Sequence, residues 1–302
     1  MVSRQDDADI RKRAASRAER LLGFFGADLL AGVSGARCRA YVDHRGNAGG
    51  ARRDLQDLSA AIQHHHREGL HVEHIRVWLP PKGGRRERTL DRSEIARLVW
   101  AAWSYRSPMP IPSRFREGAP PPGIRRPARH VARAILFGYY TGSRPGDTLR
   151  ASFHAGAGRS YIDMDSALFY RLPQGKRETT KRQPPCRIGD RLMAHLRRWR
   201  EHCASYVVEH EGAPVQSIKT ALGAAVERAG LGDGVSAYTL RHSRATHLLQ
   251  SGVEIWEVAG ALGTSEDMIR AHYGHHDPRF QAAAANARAP RAGSGQVGPK
   301  RA

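Results

Sequence analysis

The spacing of apolar side chains predicts helices in the first eighty residues. Leu55, Leu58 and Ile62 stand at positions i, i+3 and i+7 and therefore share one face of a helix. A run of proline and glycine then interrupts the pattern, as is typical of a linker. We predict a helical domain over residues 1–80 and a linker over residues 81–88.

Beyond the linker the apolar residues again have helical spacing, except in one stretch where they are typical of β-strands. Asp91 and Glu94 have the spacing of a capping box, which starts a helix. Residues 159–188 hold short β-prone runs instead, which predict two or three antiparallel strands. Further helices are predicted at residues 131–140, 192–199, 218–226, 240–250 and 255–262, and directly after Thr264 or Ser265. The predicted fold is mainly α, in the α+β class, with a small antiparallel sheet in a second domain over residues 89–285.

Charge adds a partner class to this outline. The chain of 302 residues carries 49 Lys and Arg against 29 Asp and Glu, a formal net charge of +20 at pH 7. Such an excess favours a polyanion as partner, with nucleic acid as the first choice. The excess is uneven, because residues 171–202 carry +7 whereas residues 203–278 carry −4. Residues 286–302, rich in Ala, Arg, Gly and Pro, are predicted to be disordered.

Composition also excludes some classes of protein. No apolar run approaches the ~20 residues of a membrane-spanning helix, so we expect no membrane partner. Cys38, Cys186 and Cys203 are odd in number and scattered, which favours neither a disulfide framework nor a metal site. The sequence is that expected of a cytoplasmic protein.

Three fragments carry candidate chemistry. TGSRPGD covers residues 141–147, YTLRHSRATHLL covers residues 238–249, and LGTS covers residues 262–265, with Tyr273 nine residues after Thr264. Together they resemble the tyrosine recombinase, or phage integrase, family. Its pattern is T-G-x-R-x-x-[ED], then H-x-L-R-H-T-x-A-T-x-L, then L-G-H-S with a Tyr nine residues beyond that His. The resemblance extends over about residues 30–285.

The resemblance implies four catalytic residues. Arg144 and Arg241 correspond to the two arginines that clamp the scissile phosphate, a task that suits the planar guanidinium fork. Tyr273 corresponds to the nucleophile, which becomes joined to a 3′-phosphate. A lysine of the β-hairpin protonates the leaving 5′-oxygen in this family. Lys181 is favoured for that role over Lys176, because the sequence around Lys181 better matches the family's basic turn before the last strand.

Two positions depart from the family pattern. Tyr238 replaces the His of H-x-L-R, and Thr264 replaces the His of L-G-H-S. Tyrosine, with a pKa of ~10, is a poor general base near pH 7, whereas threonine can donate a hydrogen bond to a phosphate oxygen. His242, His272, His275 and His276 are candidates to compensate. Tyr238, Thr264, His242 and Lys176 are therefore candidate contacts to DNA phosphates.

The resemblance also implies a function and an assembly. The first domain would be a core-binding domain that clamps DNA, and the second the catalytic domain. The implied activity is site-specific recombination or integration of double-stranded DNA through a 3′-phosphotyrosyl intermediate, without metal or other cofactor. It implies a homo-tetramer on paired DNA sites, located at the nucleoid. Tyr238 and Thr264 leave one alternative open, a catalytically impaired homologue that binds DNA and regulates.

Overall fold

The computed structural model describes residues 2–83, 88–108, 124–178, 182–273 and 286, with only the backbone described for residues 2–10 and Tyr273. The chain divides into two compact units, Met1–Glu87 and Arg88–Ala302. Of the tail predicted to be disordered, all but Asn286 lies outside the described residues. In the described part of the chain, no helix is both long enough and apolar enough to cross a bilayer.

The first unit is helical. It contains α1 (Val2–Phe25), a short 3-10 turn (Leu30–Gly32), α2 (Gly35–Arg45) and α3 (Ala48–Arg67). Asn47 starts α3, since its side chain accepts a hydrogen bond from the Gly50 N–H at 2.9 Å. The apolar stripe of α3 forms the core of the unit, with Leu55 and Ile62 buried and Leu58 packed against them.

A buried carboxylate ties the three helices of the first unit together. Asp54 on α3 accepts hydrogen bonds from the Tyr41 hydroxyl at 3.0 Å, from Arg45 at 3.2 Å and from Arg20 at 3.2 and 3.3 Å. Burial alone would raise the pKa of Asp54, but the hydrogen bonds from Arg20, Tyr41 and Arg45 lower it overall.

The second unit holds the remaining elements. Its helices are α4 (Arg92–Ser104), α5 (Arg129–Thr141), α6 (Pro145–Arg150), α7 (Asp190–Arg200), α8 (Lys219–Arg228), α9 (Ala237–Gln250), α10 (Ile255–Leu262) and α11 (Glu266–Tyr273). Its strands are β1 (Ser107–Pro108), β2 (Ile124–Arg125), β3 (Ala151–Ser152), β4 (Ser160–Asp163), β5 (Leu168–Tyr170), β6 (Cys186–Arg187), β7 (Glu209–His210) and β8 (Ala213–Pro214). The fold is thus mainly helical with small sheets, which confirms the predicted class.

The main sheet differs in one respect from the antiparallel sheet that was predicted. Its order is β3-β4-β5-β6, and β4, β5 and β6 pair antiparallel as expected. β3, however, pairs parallel with β4, with Ala151 opposite Ser160. This strand has only two residues and therefore shows no periodic pattern from which it could be predicted.

Helix α5 forms the centre of the second unit. Val131, Ile135 and Phe137 are fully buried, and α5 packs against both α4 and α9. The Phe137 ring meets Phe169 of β5 edge-on, with 4.9 Å between centroids, and so joins the helices to the sheet. The predicted capping box is present at the start of α4, between Asp91 and Glu94.

Candidate active site

Two glycines allow the ends of α5 and α10 to meet. Gly142 follows Thr141 with φ of 60°, and Gly263 follows Leu262 with φ of 65°. A Cβ on Gly142 would lie 2.2 Å from Leu262 Cδ2, and a Cβ on Gly263 would lie 2.8 Å from Pro184 Cδ. Both positions therefore require glycine, for its backbone conformation and for space.

Arg144 is held beside this junction by backbone oxygens. It occupies the N-cap position of α6 and is half-buried. Its Nη1 donates to the Arg182 carbonyl at 2.8 Å, and its Nη2 donates to the Gly263 carbonyl at 3.0 Å. These are the two hydrogen bonds that the Arg144 side chain makes within the described residues, and they orient its guanidinium group. A guanidinium has five N–H donors, so others remain available to bind an anion.

Arg241 reaches the same junction from α9. Its Nη1 donates to the Gly142 carbonyl at 2.8 Å and to the Leu262 carbonyl at 2.6 Å. Leu262 and Gly263 are consecutive, so Arg241 and Arg144 bind neighbouring carbonyls at the end of α10. The carbonyl end of a helix carries partial negative charge, which stabilises both cations there. The structure thus brings together the two arginines predicted to clamp a phosphate.

A third arginine, which the sequence analysis missed, joins the same elements from inside the protein. Arg171 follows β5 and is only 1% exposed. Its Nε donates to Ser143 Oγ at 2.9 Å, and its Nη2 donates to the carbonyls of Thr141 at 2.7 Å and Ala261 at 2.6 Å. Burial lowers the pKa of the Arg171 guanidinium, which Cys186 and Asp147 partly offset.

The contacts of Arg171 make it a positioning residue. It fixes the residues before Arg144 and the last turn of α10, the two segments whose carbonyls help to orient the two predicted phosphate-clamping arginines. The available signal was a single arginine inside the β-prone run of residues 167–172. A charged side chain in an apolar run is rarely fully buried unless it is paired.

The chain that returns from β5 towards β6 also contacts the site. Gln183 Nε2 donates to Asp147 Oδ1 at 2.8 Å, and Asp147 is buried in α6. Lys181 lies outside the described residues. Lys176 is half-buried shortly after β5, where its backbone N–H donates to the Pro173 carbonyl at 3.0 Å. The choice between the two lysines therefore stays a prediction.

Two predicted phosphate contacts lie on α9 beside Arg241. Tyr238 is 53% exposed and lies one helical turn before Arg241 and His242. His242 is half-buried. Burial lowers the pKa of His242, and the charges of Arg241 and His272 lower it further, so its imidazole is mainly neutral near pH 7. A neutral imidazole next to a phosphate-clamping arginine can accept a proton.

Helix α11 leads from the arginine junction to the predicted nucleophile. Thr264 is half-buried, and its N–H donates to the Ala259 carbonyl at 3.0 Å, which closes the end of α10. Ser265 starts α11, since its Oγ accepts from the Met268 N–H at 3.3 Å. Ile269 is buried in a cluster with residues of α9 and α10, which anchors the helix. The helix ends at Tyr273, of which only the backbone is described.

Metal ligands are not gathered at this site. Among the side chains that the structure describes, no three His, Cys, Asp or Glu come close enough together to hold a metal ion. What the arrangement offers is a pair of oriented guanidinium groups and a neutral imidazole. That set of groups suits binding and polarising a phosphodiester.

Comparison with known proteins identifies the family. The model of the phage integrase family matches residues 126–279, about half of the chain. A segment of 70 residues is 41% identical to tyrosine recombinase XerD of Corynebacterium glutamicum, and it spans 22% of this chain and 23% of that protein. This chain belongs to the phage integrase family, as its three fragments indicated.

Solved structures agree on the fold. The integrase of transposon Tn1549, in complex with circular intermediate DNA, aligns with a TM-score of 0.66 at 12% identity, over 92% of this chain and 93% of that chain. Lambda integrase residues 75–356, bound to DNA, align with a TM-score of 0.59 at 18% identity, over 87% of this chain and 88% of that chain.

Proposed function

We propose that this protein is a site-specific DNA recombinase that cleaves and rejoins strands through Tyr273. The observation that carries the proposal is the pairing of Arg144 and Arg241 on consecutive carbonyls at the end of α10. Two guanidinium groups oriented at one point match the two non-bridging oxygens of a phosphodiester. They would stabilise the charge that develops there during attack.

In the proposed reaction the Tyr273 hydroxyl oxygen attacks the scissile phosphorus. The P–O5′ bond breaks as the P–O bond to tyrosine forms, which leaves a 3′-phosphotyrosyl link and a free 5′-hydroxyl. The tyrosine proton passes to the neutral imidazole of His242, and the leaving 5′-oxygen takes a proton from Lys181. Attack by the 5′-hydroxyl of a second strand reverses these steps and rejoins the DNA, so no energy source is consumed.

The contact between Arg144 and the Arg182 carbonyl supports Lys181 as the proton donor. Arg182 is the covalent neighbour of Lys181, and its carbonyl accepts from Arg144 at 2.8 Å. Lys176 is six residues from Arg182 along the chain. Tyr238 and Thr264 would contribute hydrogen bonds to phosphate oxygens in place of the family's histidines.

Duplex DNA is the proposed substrate. The first unit supports this with a basic cavity of about 450 Å³, whose lining includes Lys12, Arg13, Arg17 and Arg53. Such a cluster suits the DNA backbone, and binding should weaken steeply as salt is raised. The solved relatives named above were captured on DNA. We further propose a homo-tetramer on two paired sites, acting at the nucleoid.

The decisive experiment is trapping of the covalent intermediate. Genomic fragments retained by the Tyr273→Phe protein would be sequenced to find the bound site, and the site would then be built into a duplex with a nick near the cleavage point. The wild-type chain should yield a protein–DNA adduct that survives denaturation, with or without EDTA. Tyr273→Phe should yield none.

A matched control tests whether the loss of the adduct is specific to Tyr273 rather than common to any Tyr→Phe change. Tyr105→Phe alters a partly exposed ring that Arg228 covers at 4.1 Å, away from the arginine junction, and should leave adduct formation unchanged. An adduct that persists in Tyr273→Phe would overturn the assignment. Normal DNA affinity with no adduct on any nicked substrate would overturn the proposed activity.

A further inference from the structure

A second cationic cavity lies at the other end of α5 from the catalytic arginines. It has a volume of about 290 Å³, and four arginines contribute to its lining: Arg125, Arg126, Arg129 and Arg133. Since α5 has 13 residues, its axis separates this cavity from the Gly142 junction by about 18 Å. No step of the proposed reaction uses this cavity.

The spacing of the arginines aims several of them at one point. Arg129 and Arg133 stand at positions i and i+4 of α5 and therefore share one face of the helix, whereas Arg126 lies in the segment before the helix and lines the same cavity. Burial lowers the pKa of Arg129, and the charges of Arg126 and Arg133 lower it further. The three guanidinium groups are therefore close enough to repel one another.

Carboxylates of the cavity do not neutralise this cluster. Glu209 is engaged by backbone N–H groups of Ala204 at 2.7 Å, Ser205 at 3.2 Å and Tyr206 at 3.1 Å. Glu211 is 3.6 Å from Arg125, in a pair that is largely exposed. Within the described residues, the other three arginines have no carboxylate within 4.0 Å.

Buried donors in the cavity lack acceptors. The Nε atoms of Arg125 and Arg133 are inaccessible to solvent and have no hydrogen-bond partner in the described part of the chain. Arg133 uses Nη1 to donate to Cys203 Sγ at 2.7 Å, which fixes its position. Buried donors in native proteins are usually hydrogen-bonded, so unpaired ones call for an explanation, and an anion in the cavity would supply acceptors for them.

The surrounding elements also suit an anion. Ala128 starts α5 without a side-chain cap, so the first backbone N–H groups of the helix and its dipole face the same end. The rings of His130 and His210 are 4.7 Å apart, and His210 belongs to the β7–β8 hairpin. Glu211, in the turn of that hairpin, has φ of 54°, which is unusual for a residue other than glycine.

We propose that this cavity is a second phosphate-binding site, separate from the catalytic centre. Arg126, Arg129 and Arg133 would hold the phosphate oxygens, with His130 and His210 at its side. The ligand is either a free phosphate or nucleotide, or a phosphodiester of DNA that passes this end of the unit.

Nuclear magnetic resonance of the full chain with 13C-labelled histidine tests this site locally. The His130 signal is assigned with His130→Gln, and inorganic phosphate is titrated in. We expect a saturable shift, together with a raised pKa of His130, because a nearby anion favours the imidazolium form. Arg129→Gln with Arg133→Gln should weaken the affinity read from this signal at least tenfold.

Three controls keep the result specific. Arg197→Gln with Arg200→Gln removes the same charge from exposed positions of α7 and should not change the titration. Arg126→Gln alone should weaken it even if the double variant at Arg129 and Arg133 fails to fold. Arg241→Gln should leave it unchanged, which excludes binding at the catalytic centre.

Two outcomes would overturn the proposal: a His130 signal that phosphate does not move, or equal responses in the cavity variants and the α7 control. A 20-base-pair duplex then distinguishes the two ligand sources. A His130 shift with duplex that the Arg129 and Arg133 changes abolish assigns the site to DNA backbone. A shift with phosphate but not with duplex assigns it to a free phosphate or nucleotide.

Discussion

Replacing Arg171 by methionine tests how the two arginines proposed to clamp the phosphate, Arg144 and Arg241, are supported. The change removes three short hydrogen bonds, to Ser143 Oγ and to the carbonyls of Thr141 and Ala261. Hydrogen bonds of charged groups contribute about 1.5–3 kcal/mol each, and loss of the buried cation's desolvation cost offsets part of the total. We expect the free energy of unfolding of the second unit to fall by about 3–5 kcal/mol.

Thermal unfolding followed by circular dichroism measures this loss. In a unit of this size each kcal/mol corresponds to about 2–4 °C, so the Tm should fall by about 10 °C. Arg197→Met, at an exposed position of α7, is the matched control and should change the free energy by less than about 0.5 kcal/mol. Equal melting of Arg171→Met and the wild type would refute the reasoning.

A kinetic readout separates positioning from stability. Arg171→Lys keeps the charge but loses the planar fork that reaches Ser143 and Ala261 together. At a temperature where it is folded, it should cleave nicked DNA more than tenfold more slowly in a single turnover, with duplex affinity within twofold of wild type. Unchanged cleavage in a folded Arg171→Lys protein would leave Arg171 without a positioning role.

Other predictions follow from the same contacts. Gly142→Ala should lower the free energy of unfolding of the second unit, measured with denaturant, by about 2–4 kcal/mol, because it adds a clash with Leu262 to the strain of a positive φ. Gly230 has a similar φ but open space around it, so Gly230→Ala should lower that free energy by only about 1–2 kcal/mol. The pKa of Asp54 in the folded protein is below that of an aspartate in the unfolded chain, so its contribution to the free energy of unfolding is complete above pH ~4 and is lost at lower pH. In Asp54→Asn, denaturant unfolding at a series of pH values should no longer show this loss at acid pH. His242 has a pKa below that of an ordinary histidine, so it should still accept a proton at pH 6.5, where a free imidazole is half protonated, and DNA cleavage should fall only at lower pH. His242→Gln should flatten that acid part of the pH profile. A His242→Gln profile identical to that of the wild type would assign proton acceptance to another group.

The elements of this protein follow closely from local sequence. The stripe of Leu55 and Ile62 gave α3, and the Asp91–Glu94 box gave the start of α4, because these signals act within one or two helical turns. The fragments around Arg144 and Arg241 predicted a phosphate-clamping pair through their resemblance to the family, and the structure places the two side chains on neighbouring carbonyls. Their family is shown by the match to residues 126–279.

Tertiary structure decided what no local pattern encodes. Gly142 and Gly263 are ordinary helix-ending glycines in sequence, and only the meeting of α5 with α10 makes a Cβ at either position collide. β3 exists because its two residues pair with β4 after the chain turns back, a contact between segments rather than a propensity. Arg171 owes its importance to carbonyls 30 and 90 residues away in the chain. Sequence therefore indicated which groups are proposed to carry the chemistry, whereas long-range packing decided how they are held. Every residue has the same backbone carbonyl, so no sequence pattern shows which carbonyl will accept a given hydrogen bond.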